Sequence, residues 1–338
     1  MIKNILVTGG AGYVGSHLCV KLLEQNYNIT IVDNLINSKK ERIKKIKNIS
    51  KKKLTFFNLD VQNTKKIQNI LKKKKIDLVI HLAALKKVDE SLKYPAKYYN
   101  NNIFGITSLV NAMVSTKIKK FIFSSSAVIY GKSKNFPIDE DHVAKPLSPY
   151  GLTKLFGEKF LDYVSSTDNN WKIISLRFFN PVGSHQTYEI GDNPNKPNNI
   201  MPVINDVALG KKIFFKIFGN SYKSKDGSAI RDYVHVMDVV DAHIVALKKI
   251  DKFSGHSIYN IGTGKGRSVK ELLKIYQKVN NLKLNIKKGP MRKGDIPVSF
   301  AKVSKIKKEL GWKAKYSLNE MCKSSYEFAK KLNKERND

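Results

Sequence analysis

The sequence predicts an α/β fold, with a doubly wound parallel (Rossmann) sheet followed by a smaller α/β C-terminal domain. Short apolar segments alternate with helical patterns through the first half, which is typical of a parallel sheet covered on both faces by helices. The first segment runs into a glycine-rich turn, Gly9 to Gly15, that opens a helix. Beyond Phe179 the chain becomes rich in residues that favour loops, which indicates a second domain.

The elements of the first half follow the order expected for right-handed crossovers in a doubly wound sheet. The predicted strands are Ile5–Thr8, Ile29–Asp33, Leu54–Asn58, Asp77–Leu82, Phe121–Ser125 and Trp171–Phe178. The predicted helices are Gly12–Gln25, Lys65–Lys74, Tyr98–Ser115 and a helix that carries Tyr150. These elements assign the Rossmann domain to residues 1–179.

The second half begins with a loop over Asn180–Pro202, which is rich in Asn, Pro and Gly. Shorter elements are predicted after it, at Val203–Leu209, Phe214–Gly219, Val239–Lys248, Val269–Val279 and Leu318–Asn333. We therefore expect a smaller domain over residues 180–338. The segment 231–262 is expected to pack back on the Rossmann domain.

Composition favours a globular protein of the cytoplasm. The chain has 338 residues and is 41% hydrophobic, which is enough for a large core. No apolar segment approaches the roughly 20 residues that span a bilayer, so no membrane association is expected. The N-terminus reads directly as a strand, without a targeting segment. Cys19 and Cys322 are far apart and belong to no metal-spaced cluster, as expected in a reducing compartment.

The net charge of +34 would suit a nucleic-acid-binding protein, but the type of basic residue argues against that interpretation. Only six of the 62 basic residues are Arg, the residue that dominates bidentate recognition of phosphates and bases. The lysines are scattered, as on solvated helix faces. We expect no nucleic-acid partner, although a positive field would attract an anionic substrate.

The turn between the first strand and the first helix is typical of dinucleotide binding. Gly9, Gly12 and Gly15 let the chain turn sharply, let a pyrophosphate approach the backbone and let the helix pack against the strand. Asp33 ends the next strand, where a carboxylate accepts hydrogen bonds from a ribose diol and repels a 2′-phosphate. The sequence therefore favours NAD over NADP.

Ser126, Tyr150 and Lys154, later in the chain, point to acid–base chemistry. Tyr150 and Lys154 are four residues apart, on one face of a helix, and an ammonium beside a phenol lowers the phenol's pKa. The phenolate could then accept a proton from a hydroxyl near neutral pH. Ser126 closes the fifth strand, where its hydroxyl could share the same substrate oxygen.

Two further residues have competing interpretations. Asp60, after the third strand, is a contact for the adenine edge or an ordinary turn residue, and the sequence favours neither. His81 is interpreted as a buried strand histidine. Neither paired histidines nor a carboxylate cluster has metal-ligand spacing, so no metal is predicted.

Taken together, these motifs resemble the extended short-chain dehydrogenase/reductases and, more narrowly, the UDP-glucose 4-epimerase (UDP-galactose 4-epimerase) family. The resemblance extends from about residue 2 to about residue 328. It rests on stretches in the same order, including VTGGAGYVGSH (7–17), VDNLINSK (32–39), FIFSSSAVIYG (121–131), SPYGLTK (148–154), LRFFNPVG (176–183), RDYVHVMDVVDAH (231–243), YNIGTG (259–264) and RKGDIP (292–297).

The resemblance implies NAD-dependent epimerisation at C4 of a UDP-hexose. In that scheme Tyr150 takes the proton of the sugar 4-hydroxyl, and a hydride passes from sugar C4 to the nicotinamide. The 4-keto sugar then presents its other face and recovers the hydride. Lys154 lowers the phenol's pKa and holds the nicotinamide ribose, and Ser126 shares the reacting hydroxyl.

The resemblance also assigns ligand contacts. The residues expected to contact NAD are Gly9, Gly12, Tyr13, Val14, Gly15, Asp33, Asn34, Asn37, Ser38, Asp60, Val61, Leu82, Ala83, Ala84, Lys86, Asn101, Ser124, Tyr150, Lys154 and Phe179. Those expected to contact the UDP-sugar are Lys86, Ser126, Tyr150, Asn180, Asn199, Phe218, Arg231, Arg292, Asp295 and Ser299. Phe218 could equally belong to the core, and Asn199 could be only a loop residue. In the family, two helices per subunit form a four-helix interface; here these are Tyr98–Ser115 and Tyr150–Tyr163, so a homodimer is implied.

The sequence departs from the family pattern at three positions. Val128 and Phe178 stand where the family often has Thr and Tyr. Ser299 stands where enzymes restricted to UDP-glucose and UDP-galactose carry Tyr, so UDP-GlcNAc and UDP-GalNAc are possible further substrates unless a neighbour such as Phe300 fills the space.

Two alternative functions are weaker. A nucleotide-sugar dehydratase of the same fold would need an acidic pair after the serine position, where this chain has Ala127. A non-catalytic NAD- or RNA-binding protein is supported only by the charge.

Overall fold

The structure is a computed structural model that describes residues 2–194, 197–219, 221–291 and 295–337. Its contacts form two compact units. The first comprises residues 1–129, 144–177 and 240–259, and the second comprises residues 130–143, 178–239 and 260–338. Residues 240–259, in the first unit, lie within the segment 231–262 that the sequence assigns back to the Rossmann domain.

The strands of the described chain are numbered in chain order. They are β1 (Asn4–Thr8), β2 (Asn28–Asp33), β3 (Thr55–Asn58), β4 (Leu78–His81), β5 (Lys120–Ser126), β6 (Lys172–Phe178), β7 (Asn180–Val182), β8 (Phe215–Phe218), β9 (Ile230–Arg231), β10 (Tyr233–His235), β11 (Gly255–Ile261), β12 (Arg267–Ser268), β13 (Ile286–Gly289) and β14 (Val298–Ser299).

The α-helices are numbered in the same way. They are α1 (Tyr13–Glu24), α2 (Glu41–Ser50), α3 (Thr64–Lys73), α4 (Val88–Lys93), α5 (Pro95–Tyr98), α6 (Phe104–Ser115), α7 (Pro149–Ser166), α8 (Ile200–Ala208), α9 (Val236–Lys249), α10 (Val269–Asn280), α11 (Ser304–Leu310) and α12 (Leu318–Asn337).

A seven-stranded parallel sheet has the strand order β11-β6-β5-β4-β1-β2-β3. Its run β3-β2-β1-β4-β5-β6 is the order of the dinucleotide-binding fold, and the order reverses between β1 and β4. The register places Thr8 beside His81 on one side and beside Val32 on the other. The predicted fold class is confirmed. The carboxyl ends of β1, β2 and β4 meet at the edge where such folds bind their ligands.

The sheet forms because its strands are apolar on both faces. Ile5, Leu6 and Val7 of β1 are fully buried, and they lie between neighbours that are equally apolar. Helices α3 and α6 pack together over one face, in a cluster that includes Ile67, Leu109 and Met113. Apolar burial therefore fixes where each strand ends, and with it the edge that carries the site.

The described elements differ from the predicted ones in several places. The predicted loop Asn180–Pro202 contains β7 and the start of α8, and α2 was not predicted. The seventh strand, β11, is not among the predicted strands. The predicted helix Tyr98–Ser115 is divided: α5 ends at Tyr98, a π-helical turn covers Tyr99–Ile103, and α6 begins at Phe104. Asp77, predicted as the start of a strand, accepts hydrogen bonds from the backbone N–H groups of Lys3 and Asn4 instead, both at 2.8 Å.

The second unit has smaller sheets. β7 pairs with β10, β8 pairs with β13, and β9 lies between β12 and β14. Helices α8, α10 and α12 pack together over a core that includes Ile204, Leu272 and Met321. No helix in the described ranges is both long and apolar enough to cross a membrane.

Candidate active site

The turn between β1 and α1 forms a cradle that only glycine permits. Gly9 has a φ of +71°, and its N–H donates to the carbonyl of Val32 at 2.9 Å. A Cβ on Gly15 would lie 2.2 Å from the carbonyl oxygen of Gly9, and a Cβ on Gly9 would lie 2.6 Å from the nitrogen of Ala83. Both contacts are with backbone, so larger residues would displace the turn and close the approach to the N-terminus of α1.

Asp33 ends β2 with its carboxylate fixed from three directions. The N–H groups of Ala11 and Leu35 donate to its two oxygens at 3.0 and 2.9 Å, and the Ser38 hydroxyl donates at 2.9 Å. The bond from Ala11 ties this carboxylate to the glycine turn. One side chain thus joins the two halves of the predicted dinucleotide site.

A cleft opens at this edge of the sheet. It is lined by Gly9, Gly12, Asp33, Asn34, Ile36, Asn37, Ser38, Leu59, Asp60, Val61, Leu82, Ala83, Ala84 and Asn101. All of these except Ile36 and Leu59 are among the predicted cofactor contacts. Leu59 directly follows β3, a position that could have identified it, whereas Ile36 is an isolated apolar residue in a polar loop.

The other predicted cofactor contacts lie outside this lining, and they are Tyr13, Val14, Gly15, Lys86, Ser124, Tyr150, Lys154 and Phe179. Tyr13, Val14 and Gly15 open α1 immediately behind the cradle, and the Lys86 ammonium lies 5.7 Å from the centre of the Tyr13 ring. Phe179 is buried and belongs to the second unit.

A dinucleotide fits this cleft. The cradle leaves room for a pyrophosphate where a Cβ would close it, and the N-terminus of α1 points positive charge at that space. The spacing in sequence between the glycine turn and Asp33 is that of dinucleotide sites in which a carboxylate binds the ribose diol, and the negative charge of Asp33 disfavours a 2′-phosphate.

Asp60 is held as a turn residue, and its predicted contact with the adenine edge stays a prediction. Its carboxylate accepts from the N–H of Gln62 at 2.9 Å, as a turn residue does, and from the Asn34 amide at 2.8 Å. It also lines the cleft. The turn therefore orients a carboxylate towards the region where a nucleoside would lie.

The catalytic candidates Ser126 and Tyr150 come together in the first unit. Ser126 ends β5 and Tyr150 lies in the first turn of α7, where the Ser126 hydroxyl is near enough to affect the pKa of the phenol. Burial raises the pKa of the Tyr150 hydroxyl, and the Ser126 hydroxyl opposes that rise. The Val128 N–H donates to the Ser126 hydroxyl oxygen at 3.3 Å, so the departure at Val128 still leaves Ser126 held by the backbone.

Lys154 lies one turn further along α7 and is buried. Its ammonium donates to the carbonyl of Ser124 at 2.7 Å and lies 4.8 Å from the centre of the Phe123 ring. Burial lowers the pKa of Lys154 to about 7, and the nearby carboxylate of Glu158 opposes that fall. The group is therefore close to its midpoint at neutral pH. The predicted effect of its charge on Tyr150 stays a prediction.

Local contacts hold α7 in place. Ser148 caps the helix by accepting from the Gly151 N–H at 3.2 Å, and Pro149 occupies the first turn. Gly157 lets the helix approach β5, because a Cβ there would lie 2.7 Å from the Phe123 ring. These features set the height of Tyr150 and Lys154 above the sheet.

Asn102 links the π-helical turn to α7. Its amide donates to the Thr153 hydroxyl at 2.9 Å and to the Leu85 carbonyl at 3.0 Å, and its carbonyl accepts from the Leu85 N–H at 2.9 Å. The Asn101 amide donates to the same carbonyl at 2.9 Å. The irregular turn thus connects Asn101, which lines the cleft, to Thr153, which directly precedes Lys154 on α7.

His81 is a buried strand histidine, as predicted. Its Nδ1 lies 2.7 Å from the Thr8 hydroxyl, and its ring stacks near Phe121 and Phe123. Burial lowers the pKa of His81 to about 3, so the ring is neutral at neutral pH.

In the second unit the structure brings together three of the predicted UDP-sugar contacts. The Arg231 guanidinium donates to the Asp295 carboxylate at 2.7 Å, and β9 and β14 place Arg231 beside Ser299. Buried Asp232 accepts from the N–H groups of Thr263 and Ala301 at 2.7 and 3.1 Å. That carboxylate therefore anchors the strand that carries Ser299.

Of the remaining predicted sugar contacts, Lys86, Ser126 and Tyr150 belong to the first unit, and Asn180, Phe218 and Asn199 belong to the second. Asn180 begins β7, and Phe218 is half-buried at the end of β8. Asn199 precedes α8, and its amide donates to Asp192 at 3.1 Å. Arg292 lies outside the described residues. Among the described residues, no cluster of three or more His, Cys, Asp or Glu side chains could hold a metal ion.

Comparisons with known proteins identify close relatives over the whole chain. A family model described as GDP-mannose 4,6 dehydratase matches residues 6–325. UDP-glucose 4-epimerase from Bacillus subtilis is 44% identical over 323 residues, covering 95% of each chain. The crystal structure of a UDP-glucose 4-epimerase from Stenotrophomonas maltophila with bound NAD and formylated UDP-arabinopyranose has a TM-score of 0.96 at 38% identity, covering 98% of this chain and 99% of that one. The UDP-Glc/GlcNAc 4-epimerase of Campylobacter jejuni has a TM-score of 0.85 at 34% identity, covering 97% and 99%.

Proposed function

The chain belongs to the UDP-glucose 4-epimerase family, and we propose that it is an NAD-dependent enzyme that interconverts UDP-glucose and UDP-galactose. The observation that carries this proposal is the Ser126, Tyr150 and Lys154 set in the same unit as a cleft that fits a dinucleotide. Fold similarity alone would not be enough, because function depends on the site.

The chemistry required of the protein is the removal and return of one hydroxyl proton. Tyr150 is the base, and the Ser126 hydroxyl donates a hydrogen bond to the substrate oxygen that loses its proton. Lys154 stabilises the phenolate when its ammonium is charged. Burial raises the pKa of Tyr150, so positive charge is needed close to the phenol for it to act near neutral pH.

NAD would be held by the glycine cradle, Asp33, Asp60 and the walls of the cleft. When bound it supplies the hydride acceptor and, in the return step, the hydride donor for C4 of the sugar. The chain's contribution is to exclude NADP through Asp33 and to bind the cofactor deeply enough that it stays bound between turnovers.

The UDP-sugar would be held by Arg231, whose forked guanidinium suits a diphosphate. Asp295 supports this role because its hydrogen bond fixes the direction of that guanidinium. The alternative dehydratase activity is supported by the description of the matching family model, but Ser126 is followed by Ala127 and Val128 rather than by an acidic pair.

We also propose that Ser299 admits N-acetylated sugars. The nearest candidate for filling the space beside Ser299 is Phe300, and its ring stacks on Phe136 with centroids 5.6 Å apart. A Cβ on Gly266 would lie 3.1 Å from the same ring. Phe300 directly follows β14, and its ring is engaged by Phe136 and lies close to Gly266, which supports the proposal that it does not fill the space beside Ser299.

The experiment that tests the function measures conversion of UDP-galactose and of UDP-GalNAc without added NAD. We expect both to react, and we expect Ser299→Tyr to lower kcat/KM for UDP-GalNAc at least 50-fold while changing that for UDP-galactose less than fivefold. The distant Ser254→Tyr variant is the matched control. Conversion of neither sugar would contradict the proposed function, whereas loss of both in Ser299→Tyr would contradict only the role of Ser299.

A homodimer is proposed through α6 and α7. Phe104 and Val114 of α6 and Tyr163 of α7 are more than half exposed, with Tyr163 at 76%, and large apolar side chains in such numbers suggest a covered face. Tyr163→Lys should convert dimer to monomer in sedimentation analysis. Ile213→Lys, at an equally exposed apolar position of the second unit, should leave the mass unchanged. A monomeric wild-type protein would contradict the proposal.

We place the enzyme in the cytoplasm because both cysteines, Cys19 and Cys322, are free and buried, as expected in a reducing compartment. Fractionation of cells that express the protein would test this location.

A further inference from the structure

A buried ion pair lies behind the catalytic helix. The Arg177 guanidinium of β6 donates to both oxygens of Glu158 on α7, with Nε–Oε1 at 2.9 Å and a terminal nitrogen 2.8 Å from Oε2. The Ser125 hydroxyl donates to Oε1 at 2.5 Å. Glu158 is 1% exposed and Arg177 is 5% exposed. Burying two charges is costly, and their mutual attraction repays that cost only in good geometry, so a buried ion pair is weak evidence of a role in stability alone.

The pair lies beside Lys154. Glu158 follows Lys154 by four residues, so the two side chains project from the same face of α7 on consecutive turns. Ser125, which binds Glu158, directly follows Ser124, whose carbonyl accepts from the Lys154 ammonium. One turn of helix and one step of strand therefore connect Glu158 to the group that supports the base.

The other groups around Lys154 are neutral or positive. From β5 it faces the Ser124 carbonyl and the Phe123 ring, and Tyr150 lies one turn earlier on α7. From β4 it faces His81, which is neutral at neutral pH. From α9, His243 lies 3.4 Å from the Ser124 hydroxyl, and from β6, Arg177 is positive. Among these groups, Glu158 supplies the negative charge.

We propose that Glu158 is a positioning residue, whose buried carboxylate keeps the Lys154 ammonium charged beside Tyr150, and that Arg177 moderates its effect. This inference rests on the proposed function, since it assigns Lys154 the task of supporting the base. Burial lowers the pKa of Lys154 to about 7, so a small change in local charge alters the protonated fraction where the enzyme works.

The two partners should have opposite effects on the pH dependence of kcat. Glu158→Gln removes the negative charge next to Lys154 and keeps the positive charge of Arg177, so Lys154 loses its proton at lower pH. The alkaline limb of the plot of kcat against pH should shift to lower pH by one unit or more, and kcat at pH 7 should fall about tenfold. Arg177→Met leaves Glu158 uncompensated, and the alkaline limb should move up.

The double variant Glu158→Gln/Arg177→Met and the variant Ser125→Ala complete the test. The double variant lacks the positive charge of Arg177 as well as the negative charge of Glu158. Its alkaline limb should therefore lie closer to the wild-type position than that of Glu158→Gln. Ser125→Ala loses one hydrogen bond but keeps both charges, and its profile should move by less than 0.3 pH units. Full NAD content and a wild-type circular dichroism spectrum verify folding in each case.

A readout without turnover separates this inference from the proposed function. The phenolate absorbance of Tyr150, obtained as the difference between each protein and its Tyr150→Phe counterpart, should titrate at higher pH in Glu158→Gln than in wild type. If the limbs and the phenolate titration are the same in wild type, Glu158→Gln and Arg177→Met, the pair has only a structural role and the proposal is overturned. If Glu158→Gln does not fold, the sign of the Arg177→Met shift decides. An inactive wild-type protein whose phenolate titration still moves as predicted would contradict the proposed function alone.

Discussion

Replacing Lys154 with Met should change how stability depends on pH. Burial lowers the pKa of this side chain from 10.5 to about 7, so between these values the unfolded chain binds a proton that the folded chain has released. Wild-type stability therefore rises with pH through this window, and the burial penalty, which is fully present below pH 7, disappears above pH 10.5. Met fills a similar space and carries no proton, so the variant lacks this dependence.

The magnitude follows from the shift in pKa. Each unit is worth about 1.36 kcal/mol, so the full penalty is about 5 kcal/mol. Between pH 7 and pH 9.5 the wild type should gain about 3 kcal/mol relative to Lys154→Met. At a single pH, the difference in free energy of unfolding between wild type and variant also includes the lost hydrogen bond to Ser124 and the lost contact with Phe123. These two contributions cancel when the differences at the two pH values are subtracted.

The measurement is urea unfolding of wild type and Lys154→Met at both pH values, at equal dinucleotide content. Lys159→Met is the matched control, because Lys159 lies on the same helix with 70% of its side chain exposed. Its difference from wild type should stay constant within about 0.5 kcal/mol. A Lys154→Met difference that is equally independent of pH would refute the reasoning, since it would mean that Lys154 stays protonated when buried.

Three further substitutions test the structure around the site. Gly15→Ala should lower Tm by several degrees and abolish copurification of dinucleotide, because its Cβ would lie 2.2 Å from the Gly9 carbonyl oxygen. The control Gly105→Ala should do neither, because the atom nearest to its Cβ would be a side-chain carbon at 3.2 Å. Asp33→Asn should weaken NAD binding roughly 10- to 100-fold in calorimetric titrations, which corresponds to the loss of about 1.5–3 kcal/mol expected for a charged hydrogen bond. The variant should also show a smaller preference for NAD over NADP. An unchanged preference would contradict the role of the Asp33 charge. His256→Ala should cost about 1–3 kcal/mol in urea unfolding, because His256 joins the Asp162 carboxylate at 2.6 Å to the buried Ser175 hydroxyl at 2.7 Å. A loss below 0.5 kcal/mol would show that solvent replaces His256.

Local sequence patterns predicted the sheet because its strands are continuous apolar segments between helices. The same patterns did not predict β11, since the segment Gly255–Ile261 mixes polar and apolar residues and occurs long after the other six strands. The π-helical turn at Tyr99–Ile103 was also invisible, because it depends on the hydrogen bonds of Asn102 to Leu85 and Thr153, which are distant in sequence.

The candidate site divides in the same way. Glycine spacing, a carboxylate at a strand end and a Tyr–Lys pair are short-range motifs, so Gly9, Asp33 and Tyr150 could be identified directly. The residues that support them could not. Glu158 meets Arg177 only because the fold of the first unit brings a residue of α7 to one of β6, and Asp232 meets Ala301 only through the fold of the second unit. Such pairs leave no spacing signal in one sequence.

The variant Tyr150→Phe tests whether Tyr150 is the proton acceptor of an NAD-dependent 4-epimerase. We predict that the variant copurifies with as much NAD as the wild type, because the cleft is unchanged, while kcat for UDP-galactose falls about 10²- to 10⁴-fold. A variant that retains NAD and converts UDP-galactose within threefold of the wild-type rate would contradict the account.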